Sequence, residues 1–432
     1  MKKLVIVCIA IVLAILVTVL VFFRHRFEDV NSAQTALEGI QITSVFECET
    51  DFKITIDQAI EDYWYMWNFI EENVPSISLI ERVLEIDILE LQITGLSNLQ
   101  THENYICIRD FNDFLIQHLG ELQLMFHLSM FDEGLVTMIL GLDSSIPIFE
   151  DTIHDIDRTR EVYNYLFPQF SLEINSEGQS ETINHPTMSI LNDEVAHIEI
   201  VSFNMTADES DEIQALLSSF YSYITSLGIT NLIFNLSGNS GGNTEYWINH
   251  IVAPNIVAPL SSEILLFSRD SDVVLNYINF WTNNSLEMRP FDKELFNVLN
   301  PDDLIDIDLY SVVTITIEPE NVVAAAFEGD IYVIIDEWGF SATDAFANFV
   351  YQTGFATLVG NPTSGAGIGM MPISFSLPSS GLLARMDVFY GVNPDGSANQ
   401  ERGTQPHYSF GIHRPLTAVL RIIEERKNSG VD

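Results

Sequence analysis

Asn231-Leu-Ile-Phe-Asn-Leu-Ser-Gly-Asn-Ser-Gly-Gly-Asn243 and Asp330-Ile-Tyr-Val-Ile-Ile-Asp-Glu-Trp-Gly-Phe-Ser-Ala-Thr-Asp-Ala-Phe-Ala347 decide the fold of this chain. Each begins with an apolar run short enough for a buried strand and then meets a turn. The second continues into helical spacing. The first turn presents glycine amides, and the second places Ser341 at a helix start. Together they could supply a nucleophile and an oxyanion hole, the two parts acyl transfer needs most. Ser341-Ala-Thr-Asp344 has a competing reading, because Ser-x-x-Asp is also a variant of the helix capping box, worth ~1 kcal/mol.

Strand and helix alternate around these segments. Val195–Phe203 has the pattern of a strand. Glu209–Leu227 is helical, with apolar positions at Ile213, Leu216, Leu217, Phe220 and Ile224. Leu232–Leu236 and Ile331–Ile335 are strands, and a helix runs from Ala342 to about Tyr351, ended by Gly354. Alternation of this kind predicts an α/β layered domain over 186–425. Residues 57–185 are expected to form a mostly helical N-terminal region, as Ile60, Tyr63, Trp64, Trp67 and Ile70 suggest. Breaks are expected at Pro75 and at Thr94–Asn98, and an acidic, turn-rich stretch from Asp143 to Pro186.

Residues 1–29 are expected to be a membrane anchor. Lys2 and Lys3 precede an almost wholly apolar stretch, Leu4–Phe23, followed by Arg24-His-Arg26. At about 1.5 Å per residue this stretch can cross a hydrocarbon core of about 30 Å. No small-residue cleavage site follows it, which favours an uncleaved single-pass cell-membrane anchor with the C-terminal domain extracytoplasmic. Residues 30–56 are a polar juxtamembrane linker. The chain carries 18 Lys+Arg against 61 Asp+Glu, a formal net charge of −43. Such a surface repels nucleic acid and other polyanions. No Cys/His cluster suggests zinc, no metal or other cofactor is implied, and Cys48 and Cys107 are free to form one disulfide in an oxidising compartment.

These segments resemble the core of the S41 family of serine peptidases, the C-terminal processing and tricorn-type proteases. The likeness extends to Gly354-Phe-Ala-Thr-Leu-Val-Gly-Asn-Pro-Thr-Ser-Gly-Ala-Gly367, similar to the family's "vGepT-G-x-G" loop. Leu377-Pro-Ser-Ser-Gly-Leu-Leu383 and Gly403-Thr-Gln-Pro406 follow in the family's order. The resemblance implies a ClpP/crotonase-like catalytic domain and a peptide or protein substrate. Ser341 matches the nucleophile of the Ser-Ala-Ser-Glu motif, with Asp344 in place of Glu. Gly238-Asn-Ser-Gly-Gly242 matches the turn "D-x-R-G-N-x-G-G", so Gly241 or Gly242, with the N–H of Ala342, is implied as the oxyanion hole.

The sequence departs from the pattern at its base. Processing peptidases carry a lysine in Gly-Lys-Gly, and here the position is Ala366. Lys53, Lys293 and Lys427 are the lysines outside the anchor, and none lies in a matching motif. Asn235 and Ser237 replace the Asp and Arg of the glycine turn, and His407 replaces an aspartate. Tricorn-type members use a histidine and a glutamate instead. Gly120-Glu-Leu-Gln-Leu-Met-Phe-His127 resembles their histidine segment, which makes His127 the implied base. Glu401 is then the carboxylate expected to orient it. His118 and His250 are alternatives with no motif. The expected function is a membrane-anchored serine-type peptidase. A catalytically inactive peptide-binding relative, and a hydrolase of a non-peptide ester or amide, are the competing readings.

Overall fold

The computed structural model describes residues 52–120, 122–132, 135–136, 150–168, 185–292, 296, 299–410 and 415–429. The anchor, most of the linker, Cys48 and Lys293 lie outside them. Among the described residues no helix is long and apolar enough to cross a membrane. Cys107 is disulfide-bonded.

Among the described residues the first element is β1 (Lys53–Thr55), paired with β2 (Tyr105–Cys107). Helices Ile56–Asn73, Ile77–Leu84 and Ile88–Leu99 lie between the two, and helix Ile108–Leu119 follows. Thr55 starts the first helix through a capping box with Gln58. Pro75 lies in the break between the first two helices. Thr94–Asn98 does not break the third helix; it lies within it. Gly95 is what the packing requires there, because a Cβ would come within 2.3 Å of the Tyr63 hydroxyl. Within the segment expected to be turn-rich, Ile156–Leu166 is a helix. Asp155 caps it, accepting from the N–H groups of Asp157 and Arg158, and Thr159, Val162, Tyr163 and Leu166 form its buried stripe.

β3 (Ser129–Met130) precedes the main sheet. The strands that follow are β4 (Thr187–Asn192), β5 (Val195–Glu199), β6 (Asn231–Asn235), β7 (Leu260–Ser268), β8 (Arg289–Pro290) and β9 (Leu309–Ile317). Next come β10 (Asp330–Ile335), β11 (Thr357–Gly360), β12 (Ile373–Ser376), β13 (Leu383–Met386), β14 (Tyr390–Val392) and β15 (Tyr408–Ser409). Among the described residues the largest sheet has the order β15-β11-β10-β6-β5-β4. It is parallel except at β4, which runs antiparallel to β5.

The central strands are buried on both faces, which explains their unbroken apolar runs. On one face Ile198, Leu232, Phe234, Val333 and Ile335 pack against helices Ala207–Ser226 and Ala342–Thr353. On the other, Ile233, Tyr332, Ile334 and Val359 meet Val419 and Ile422 of helix Pro415–Ser429. The layered α/β expectation is met there. Two antiparallel sheets, β14-β7-β9-β8 and β12-β13-β3, were not apparent in the sequence pattern. They share one core with the N-terminal helices, in which Trp67, Phe111, Phe267 and Phe375 are all buried.

Asp62 ties that N-terminal region to the later chain. Its carboxylate accepts the N–H groups of Ser379 at 2.8 Å and Ser380 at 2.7 Å. Removing the acceptor strands both amides at a cost of about 1–3 kcal/mol each. Asp62→Ala is expected to lower the unfolding free energy by about 2–4 kcal/mol in urea titration, and Asp62→Asn, which keeps one acceptor oxygen, by less.

Candidate functional site

Ser341 lies where β10 turns into helix Ala342–Thr353, with φ 53° and ψ −121°. This is sparsely populated backbone for an L-residue and costs about 1–3 kcal/mol. Its side chain makes no capping bond to the helix. Its N–H donates instead to the Gly365 carbonyl at 3.0 Å. The capping-box reading of Ser341 and Asp344 is therefore set aside. A strained strand-to-helix turn that presents a hydroxyl is the arrangement of an exposed nucleophile.

Asp344, fully buried one turn into that helix, serves a different purpose. It accepts the Thr363 hydroxyl at 2.5 Å, the Gly367 N–H at 2.9 Å, the Asn399 side-chain amide at 2.8 Å and the Thr404 hydroxyl at 2.8 Å. The loop through Ala366 is thereby locked beside the nucleophile. Ala366 itself has φ 59° and offers no base. Of the described lysines, Lys427 pairs with Glu194 and Lys53 opens β1.

The glycine turn packs directly on Ser341. A Cβ on Gly241 would lie 2.7 Å from the Phe340 carbonyl and 3.1 Å from the Ser341 Cβ. Buried Asn239 organises the turn. Its amide donates to the Ile200 carbonyl at 3.0 Å, and its oxygen accepts from the Gly241 N–H at 2.9 Å and the Thr343 hydroxyl at 2.8 Å. The Gly241 N–H is thus already bonded, which corrects its expected role as an oxyanion donor. The Gly241 carbonyl and the Asn243 N–H both bond Phe203, so the intervening Gly242 N–H points away from that segment. Ala342, first in its helix, has an N–H with no intrahelical partner. Asn235 and Ser237, in place of the family's Asp and Arg, form a local turn, the Asn235 oxygen accepting from the Ser237 N–H and hydroxyl.

His127 is reached through strand register. Ser129 pairs with Arg385 and Met130 with Ala384. Continued two residues, the same antiparallel register sets His127 opposite Asp387, and both side chains fall on the face shared by Ser129 and Arg385. The Asp387 N–H donates to the Phe126 carbonyl at 2.6 Å. His127 Nδ1 lies 2.8 and 3.0 Å from the two Asp387 oxygens, with both residues buried. Phe126 and His127 are held at φ 52° and 50°, a strained pair of L-residues. The imidazole rests on the Phe340 ring, centroids 4.6 Å apart, and Phe340 directly precedes Ser341.

Glu401 does not orient His127. It pairs with Arg82 at 3.0 Å, which also bonds Asp303. Asp387 takes the place expected of Glu401, and no motif marked it; only the Arg385-Met-Asp387 alternation opposite Ser129 could have. Other histidines lie elsewhere. His118 bonds the Tyr63 hydroxyl at 2.8 Å amid Phe114 and Trp67. His250 is bonded by Ser210 and Gln214. His407 stacks on Tyr351 and accepts the Leu358 N–H at 2.9 Å.

A strained serine at a strand-to-helix turn and a carboxylate-bound imidazole packed on the ring of the preceding residue are the kinds of group a serine-hydrolase site uses. The chain belongs to peptidase family S41, whose model matches residues 194–410, half of the chain. No curated protein matches it. Mature CPAF complexed with lactacystin is similar in structure, with TM-score 0.53 and 14% identity over 87% of this chain and 99% of that one. A candidate peptidase from Parabacteroides merdae ATCC 43184 gives TM-score 0.51 and 13% identity over 87% and 99%. Identities this low show the shared α/β fold alone.

Burial lowers the pKa of His118 to about 4 from its ordinary 6.5. As pH falls, the unfolded chain takes up this proton first, so the contribution is complete above pH 6.5 and lost toward pH 4. The stability of the wild type relative to His118→Gln is expected to fall over that window in denaturant titrations at stepped pH. A constant difference would contradict this placement of the ring.

Proposed function

We propose that this chain is a serine-type peptidase in which Ser341 is the nucleophile, His127 the general base and Asp387 the residue that orients and charge-stabilises the imidazole. The observation that carries the reading is the buried Nδ1–carboxylate bond, which leaves Nε2 as the nitrogen available to the serine. His127 Nε2 takes the Ser341 Oγ proton as the oxygen adds to the peptide carbonyl. It returns that proton to the leaving amine, giving an acyl-serine. A water then attacks the ester, with the same imidazole first accepting and then returning a proton, and the acid product leaves. The N–H groups of Ala342 and Gly242 stabilise the oxyanion of both tetrahedral intermediates, aided by the helix N-terminus at Ala342.

The departures at Ala366, Asn235, Ser237 and His407 favour the peptide-binding reading, and the His127–Asp387 pair supports the peptidase reading as a candidate base from another segment. The anchor and extracytoplasmic placement rest on residues 1–29 in sequence alone.

The test is fluorophosphonate labelling of the full chain, followed by peptide hydrolysis. Labelling is expected in the wild type and absent in Ser341→Ala. His127→Ala and Asp387→Asn are expected to slow it by about 10³-fold or more, as losses within a catalytic triad do. A folded wild type that takes no label, or labelling unaffected by Ser341→Ala, would overturn the assignment. Gly242→Ala should also lose labelling, because φ is 133° there and a Cβ would lie 2.4 Å from the Asn204 nitrogen.

A further inference from the structure

The short helix Asn399–Arg402 touches both halves of the site without contributing to the chemistry. Asn399 and Gln400 are buried. The Asn399 amide donates to both Asp344 oxygens, at 3.1 and 2.8 Å, inside the nucleophile helix. Gly365, whose carbonyl receives the Ser341 N–H, is pressed so closely on this helix that a Cβ would come within 2.1 Å of the Asn399 carbonyl. One residue on, the Gln400 side-chain oxygen accepts the Phe126 N–H at 3.4 Å, on the backbone of the strained Phe126-His127 pair. Next, Glu401 pairs with Arg82 of helix Ile77–Leu84, and Arg82 is anchored by Asp303. Three consecutive side chains therefore point to the nucleophile helix, the histidine segment and the N-terminal helices.

We propose that Gln400 is a positioning residue: through the Phe126 N–H it holds His127 in register with Ser341, on a turn that Asn399 fixes to the nucleophile helix and Arg82–Glu401 fixes from outside. The inference rests on the reading of His127 as the base. His127 and Ser341 lie on different segments, and the Phe340 ring contact alone does not set the height of the imidazole along the cleft. The Asp387 bond orients the ring, and the Gln400 bond restrains the backbone that carries it. Geometric slack of about 1 Å at a base costs up to about 100-fold in rate.

The experiment uses the full chain with Gln400→Met, which keeps shape and loses the acceptor, and Gln400→Glu, which keeps an acceptor oxygen. Two readouts are taken on protein verified as folded by near-ultraviolet circular dichroism. One is the fluorophosphonate labelling rate constant; the other is the proton resonance of His127 Nδ1–H, assigned with His127→Ala. In Gln400→Met the rate is expected to fall about 10- to 100-fold and the resonance to shift or broaden. Gln400→Glu should restore both to near wild type. Equal losses in both variants, or none in either, would overturn the proposal. Should Gln400→Met not fold, Arg82→Gln loosens the same turn from outside; a labelling rate and resonance identical to wild type would then overturn it. A wild type that takes no label, with a resonance that still responds to Gln400, would remove the peptidase reading and leave the positioning contact. Normal labelling with an indifferent resonance would do the reverse.

Discussion

The site depends on a buried carboxylate. Asp344 has no solvent exposure, and a carboxyl group in such a place persists only if its oxygens are bonded. Thr363, Gly367, Asn399 and Thr404 supply those bonds. They lie on separate segments, and the loop carrying Thr363 and Gly367 is also tied there by the Ser341–Gly365 backbone bond. The need to satisfy one buried carboxyl group thus helps to gather the loop through Ala366, the turn at Asn399 and the approach to β15 around Ser341. The strain at Ser341 is affordable because these neighbours determine its backbone so fully.

How much of this was legible in the sequence follows from the range of each interaction. β5, β6 and β10 were readable because strands buried on two faces must be apolar throughout. Gly354 was readable as a helix stop because its φ of 69° suits glycine. Ser341 was readable only as an ambiguity, since a nucleophile turn and a helix cap use the same residue types at the same spacing. Backbone conformation separated them, because a serine with φ 53° and its N–H on Gly365 does not have the extended geometry of a cap.

Asp387 was not legible for the opposite reason. It becomes a partner of His127 only through a two-residue strand pairing across more than half the chain. Composition at either end carries no trace of that register. The same holds for Glu401, which lies one residue from Gln400 and two from Asn399. Its neighbours face the site, while its own side chain turns outward to Arg82. Position in a motif identified the right turn and the wrong atom.

The proposed use of histidine where relatives are expected to use lysine has a physical logic in this chain. A lysine acts as a base only after its environment has pulled its pKa down from about 10.4, normally by desolvation. A molecule of formal net charge −43 works against that, since surplus carboxylates stabilise an ammonium. Imidazole starts near 6.5 and needs no such shift to be neutral. Ala366 keeps the loop conformation, with φ 59°, and the Gly365 contact to Ser341 without placing a cation there. His127 lies outside the segment matched by the family model, in the turn before β3, whose Met130 belongs to the core of the N-terminal helices. On the proposed reading of His127 as the base, proton transfer at Ser341 depends on the folding of the N-terminal region.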